Sequence, residues 1–188
     1  TKKGALISGM KIGYIEEMYG GIGTEIAYKN VHKPWYIAAN FYWVKQRDFN
    51  QRFTFRDYET FTGHIDFFWD TPVEGLTINL SGGRYLAKDS GITLNISKRF
   101  KTGFLLGAFA TRTDISFGEF GEGSFDKGIY FSIPLDVISS RHNPNNAKFS
   151  WKNLTKDGGQ KLMNTLQIQK FLNDSAYNLD YQSYGLQR

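Results

Sequence analysis

Three carboxylates and a histidine stand close together between Phe53 and Trp69: Asp57, Glu59, His64 and Asp66. A histidine two residues from a carboxylate has the spacing of a base and its orienting group if the segment is extended, because a strand sends residues i and i+2 to the same face. The alternation of the segment says that it is a strand. One face reads Phe53, Phe55, Asp57, Glu59, Phe61, Gly63, Ile65, Phe67, Trp69, and the other reads Thr54, Arg56, Tyr58, Thr60, Thr62, His64, Asp66, Phe68. Asp57 and Glu59 therefore point away from His64 and Asp66, and no serine shares the His64 face to serve as nucleophile. The reading is a polar lining without a catalytic residue. Its ligand-contact candidates are Arg56, Tyr58, Thr60, Thr62, His64 and Asp66, joined by Arg84 and Arg112 if these face the same way. Hydroxyls, one aromatic ring and a few charges suit weak, distributed contacts to sugars.

Other groupings carry less. Glu119, Glu122 and Asp126 are oxygen donors, yet their spacing matches no EF-hand loop, and a solvated turn is the reading. The Gly-rich run around Gly118, Gly121 and Gly123 is followed by a strand, where a phosphate loop needs a helix N-terminus. The chain has no cysteine, which excludes disulfides and thiolate metal ligation. Neither a metal nor a cofactor is expected.

The elements that must position these residues are strands. Phe53 to Trp69 is far longer than a usual globular strand and, at about 3.3 Å per residue, long enough to cross a tilted membrane span. Ala5 to Ile15, Ile22 to Val31, Trp35 to Val44, the stretch from Leu76, the stretch from Ile92, Phe104 to Thr113 and Phe125 to Leu135 also read as strands, joined by mostly short turns. Gly82 and Gly83 mark a bulge or a close contact. The last two strands form a hairpin around the Gly-rich connection. About eight to nine strands in succession make an antiparallel up-and-down meander, an all-β fold. A composition shift after Asp136 divides residues 1–140 from a linker and basic tail at 141–188. In that tail Ala147 to Leu154 reads as one more strand, and Asp157 to Gly159 as the cap of a helix holding Leu162, Leu166, Phe171 and Leu172. Tyr177 to Tyr184 fits neither pattern.

Sixteen Phe, eleven Tyr and four Trp in 188 residues make the chain aromatic, and twenty Gly against four Pro indicate tight turns. The net charge of +5 is unevenly placed: residues 1–140 carry 16 Lys and Arg against 15 Asp and Glu, the remainder 7 against 3. Nearly balanced strands do not make a nucleic-acid footprint. No run of 18 apolar residues occurs, which excludes a transmembrane helix and leaves a membrane barrel open, since its strands alternate. Thr1, Lys2 and Lys3 precede no apolar run, so the sequence reads as a mature protein or an excised piece.

The segments GYIEEMYGG (13–21), WVKQRDF (43–49), GRYLAKDSGITLNISKRFKTG (83–103), GAFATRTDISFGEFGEGSFDKGIYFSIPLD (107–136) and LTKDGGQKL (154–162) resemble the C-terminal part of the YjbH-like family, with FGEGSFDKGIY the most specific. The resemblance covers roughly residues 5–162. Lys156 stands where the family pattern has Arg, and the Asn-rich tail after Leu162 resembles nothing further. What the resemblance implies is a section of a bacterial outer-membrane β-barrel in exopolysaccharide or capsule assembly and export. The implied partners are outer-membrane lipid, the polysaccharide and other secretion proteins. Two further readings stand beside it: an outer-membrane barrel enzyme acting on lipid or polysaccharide, and a small soluble ligand-binding barrel.

Overall fold

The computed structural model describes residues 4–30, 32–50, 52–115, 125–137, 145–152 and 158–162, together with Ile168 and Leu172. Among these residues nine strands follow one another: β1 Ala5–Glu16, β2 Tyr19–Lys29, β3 Trp35–Arg47, β4 Phe55–Asp70, β5 Leu76–Arg84, β6 Ser90–Arg99, β7 Leu105–Thr113, β8 Asp126–Pro134 and β9 Asn146–Lys152. Each pairs antiparallel with the next, in a single sheet of order β1 to β9. The up-and-down meander expected from the alternation is the fold. The sheet is open, with β1 and β9 as its edges.

The segment expected at Ala147 to Leu154 is β9. The centre of the Gly-rich connection, residues 116–124, lies outside the described residues, as do most of the expected helix and all of Tyr177 to Tyr184. Ile168 and Leu172 are helical, whereas Leu162 is not, so the helix does not begin at Gly158 and Gly159.

The sheet's two faces differ in kind. Along β4, burial alternates residue by residue: Thr60, Thr62, His64, Asp66 and Phe68 are buried, while Phe61, Ile65 and Phe67 are exposed. The same holds across the strands. Ile37, Phe41, Trp43, Leu80, Ile92, Leu94, Ile96 and Ile129 all stand exposed on what we call the open face. A sheet with one wet side in water puts its apolar side chains on the other, and this one does the reverse. The covered face carries two small apolar clusters. One joins Ile15, Tyr42, Val44 and Leu86 to Leu162, and the other joins Ala27, Tyr36, Ala38 and Phe68 to Leu172. Leu162 and Leu172 follow β9 in the chain, and these two side chains lie against this face.

Of the two readings of Gly82 and Gly83, the close contact is found. The ladders β4–β5 and β5–β6 run through both residues without a register shift. A Cβ at Gly83 would sit 2.1 Å from the Gly63 carbonyl oxygen and 2.7 Å from His64 Cα, so a side chain there would drive the strands apart.

Candidate functional site: the covered polar face

Parity fixes what the covered face presents. Cross-strand partners share a face, so Asn40, His64 and Gly83 stand in one row, and Ala38, Asp66, Ser81 and Thr93 in the next. The Tyr42 hydroxyl donates to Glu25 Oε1 at 2.5 Å, the Tyr58 hydroxyl to the Leu86 carbonyl at 2.5 Å, and the Thr62 hydroxyl to the Arg84 carbonyl at 2.6 Å. A chain of hydroxyls runs from Tyr85 to Thr93 at 2.6 Å and on to Thr111 at 2.8 Å. Burial pushes the Tyr85 phenol, in the β5–β6 turn, up to about 12. Its ring meets the edge of His64 with centroids 4.7 Å apart.

The segment after β9 completes the site, and it does so at carboxylates. The Gly159 amide donates to Asp89 Oδ2 at 2.8 Å, and the Leu86 amide donates to the Gln160 carbonyl at 3.0 Å. Lys161 Nζ donates to Ser81 Oγ at 2.5 Å and lies 3.6 Å from Asp66 Oδ1. The Ile168 amide donates to Glu25 Oε2 at 3.2 Å. Burial pulls the Lys161 ammonium below the ordinary lysine range, while Asp66 pulls the other way by favouring the charged form. His64 Nε2, Asp66 Oδ2, Asp89 Oδ1 and Asp126 Oδ1 are buried with no hydrogen-bond partner among the described residues.

The sequence candidates divide by place. Thr60, Thr62, His64 and Asp66 are brought together, buried, on the covered face, with Tyr58 half-buried beside them. Arg56 is exposed at the start of β4, and its guanidinium lies over the Phe49 ring at 4.5 Å. Arg84 and Arg112 stand on the open face, paired with Gly63 and Ile92, so the condition that they face inward is not met. The uninterrupted register through Gly82 and Gly83 is the reason, since a bulge there would have turned Arg84 inward. Asp126 is buried, whereas Glu119 and Glu122 lie outside the described residues. No group of three potential metal ligands occurs among the described residues.

Reading along one strand missed what the neighbours bring. Ser81 sits directly opposite Asp66, a hydroxyl that the sequence of β4 alone does not hold. With Lys161 it has the atoms of a serine–lysine pair, but Ser81 is fully buried and no substrate carbonyl reaches it in this arrangement. Glu25, Asp89 and Lys161 were missed as well. Only Glu25 left a signal, as the one charge in the run Gly23, Glu25, Ala27 of β2's covered face.

The sheet thus has a covered polar face behind an open apolar one. The family model described as "Exopolysaccharide biosynthesis protein YbjH" matches residues 3–174. The chain belongs to the YjbH exopolysaccharide biosynthesis family. It is 40% identical over 171 residues to "Uncharacterized lipoprotein YjbH" of Escherichia coli (strain K12). That alignment takes in 88% of this chain and 24% of the relative, so the chain spans about a quarter of the curated relative's length. No solved structure matches. The family match runs past Leu162, where the resemblance read from sequence stopped, and takes in Ile168 and Leu172 on the covered face.

Proposed function

We propose that this YjbH-family sheet is a section of outer-membrane β-barrel wall that serves exopolysaccharide assembly and export as a conduit surface, without catalysis. The observation that carries the proposal is a slant. On the open face, the apolar runs of four strands end in a charge on the same side of the sheet: Lys45 in β3, Arg84 in β5, Arg112 in β7 and Lys127 in β8. Followed back along the ladders to β3, these positions fall at Lys45, Phe41, Ala39 and Ile37 respectively. The boundary slips eight residues over the five steps from β3 to β8. At about 3.3 Å per residue and about 4.8 Å per strand, that is a tilt of roughly 45°. Strands of membrane barrels tilt by about 35–45°, so a planar apolar slab cut through tilted strands leaves this pattern. A soluble ligand-binding barrel has no reason for it.

The strand ladders supply the backbone pairing that a lipid setting demands, save at the two open edges. We assign closure of those edges to strands from the rest of a longer protein. Lipid against the open face, glycan on the interior side and other secretion proteins are the implied partners, and the relative's description as a lipoprotein supports membrane association.

Leu94 lies mid-run between Ile92 and Ile96 and is exposed. In the full-length protein, Leu94→Arg should cost about 2–4 kcal/mol at mid-membrane and lower the inserted fraction several-fold, read by heat-modifiable gel mobility of outer-membrane extracts. Wild-type insertion of that variant would remove lipid from the open face.

A further inference from the structure

We propose that Phe109 and Tyr130 form a sugar-stacking platform on the covered face, against which a pyranose ring of a glycan lays its C–H face. The proposal rests on the barrel-wall reading above and names the side chains of that wall that take the glycan. Gly107 faces Tyr130 across the β7–β8 ladder, and Phe109 faces Gly128 two residues further on. Each ring lies over the glycine opposite it. A Cβ at Gly107 would collide with the Tyr130 ring, and one at Gly128 would lie 2.6 Å from Phe109 Cε1. Parity puts both rings on the face of the buried Thr111 and Asp126. Their roots are diagonal neighbours, about 7–8 Å apart, so the two rings stand side by side on the sheet.

Aromatic cover of a strand glycine is also a packing device, and as packing it would be served by any large apolar side chain. The surroundings of this pair point to a ligand. Neither ring belongs to an apolar cluster of the covered face, and each keeps part of its surface exposed. Their flanks are polar: the ladder row of Phe109 runs through Asn95 to Asn79 on one side and through Gly128 to Lys152 on the other. Asn95 Oδ1 accepts from the Tyr130 hydroxyl at 2.8 Å, which fixes how that ring lies. Asn79 Nδ2 is buried with no hydrogen-bond partner among the described residues. Two ring faces beside an amide donor complement a pyranose, because the negative face of an aromatic ring meets the weakly positive C–H groups of the sugar and the amide donates to a hydroxyl oxygen. Thr60, Thr62, His64 and Asp66, by contrast, are buried. Stacking of this kind is weak enough for a chain to move on, as a conduit surface requires.

The test is saturation-transfer NMR on the full-length protein in detergent, with maltohexaose and cellohexaose as probes and no export assay. Wild type should transfer saturation to the C–H protons of at least one probe. Phe109→Leu combined with Tyr130→Leu keeps both glycines covered and removes both ring faces, so the apparent affinity should fall about five-fold or more while heat-modifiable gel mobility stays unchanged. Tyr130→Phe keeps the ring and loses only the bond to Asn95, and its affinity should stay within about two-fold of wild type. The two single leucine variants, each expected to lose about two-fold or more, decide the matter if the double variant does not fold. Leucine variants that bind as wild type does, or a wild type that takes neither probe, would overturn the platform even where the Leu94→Arg result upholds the wall.

Discussion

His64 and Asp66 look like a base and its orienter when β4 is read alone, and the proposed function makes them part of a wall. His64 meets the Tyr85 ring, and Asp66 faces Ser81, from a neighbouring strand, and Lys161, 95 residues further along the chain. The parity of β4 was legible in the sequence because alternation needs only one strand. The partners were not, because they depend on register between strands and on where a distant segment comes to rest. If the interior face makes weak distributed contacts, His64→Ala should lower surface polysaccharide by no more than about three-fold at normal protein abundance, with Thr60→Ala and Thr62→Ala adding to the loss. Loss of a catalytic base instead removes most of the rate in one step, typically about 10²-fold or more. The Thr93 hydroxyl gives a stability test. Thr93→Val leaves the buried Tyr85 and Thr111 hydroxyls without their shared partner, which should cost about 1–3 kcal/mol in urea unfolding of the full-length protein.

Between strands, the decisive pair is Gly82 and Gly83. The sequence marked both as special without choosing between a bulge and a close approach, since the choice rests on how β4 and β6 flank them. Gly83 is pressed against the Gly63 carbonyl, whereas a Cβ at Gly82 meets nothing nearer than the Gly91 carbonyl oxygen at 3.9 Å. Gly83→Val should therefore abolish the trypsin-resistant folded form, and Gly82→Val, one residue away and on the open face, should leave it intact. Equal tolerance of both would mean that β5 is registered differently. The aromatic pairing across β3 and β4 belongs to the same scale. Tyr36 stacks on Phe68 on the covered face at 4.4 Å, and Phe41 stacks on Phe61 on the open face at 6.2 Å. Such pairs add about 0.5–1.5 kcal/mol each beyond their burial. That the strands exist was readable from alternation. The slant of the apolar band was not, because it emerges only once each strand is slid to its register.

At the scale of the whole sheet, the claim is that the open face meets a planar apolar slab cut across tilted strands. Leu94 and Lys127 separate this claim from any other account of the exposed apolar residues. They lie in one ladder row, joined through Ala110, so in a sheet whose strands stand upright they would have equal depth. With the tilt of roughly 45° derived above, Leu94 is mid-slab and Lys127 is at its margin. The measurement is spin-label depth in proteoliposomes of the full-length protein, from collision with oxygen against a water-soluble nickel complex, at Leu94→Cys, Ile65→Cys, Ala108→Cys and Lys127→Cys. The account predicts that labels at 94, 65 and 108 share the greatest depth although they stand in three different ladder rows, and that the label at 127 lies at the headgroups. Equal depth for 94 and 127, or nickel access at all four positions, would contradict it.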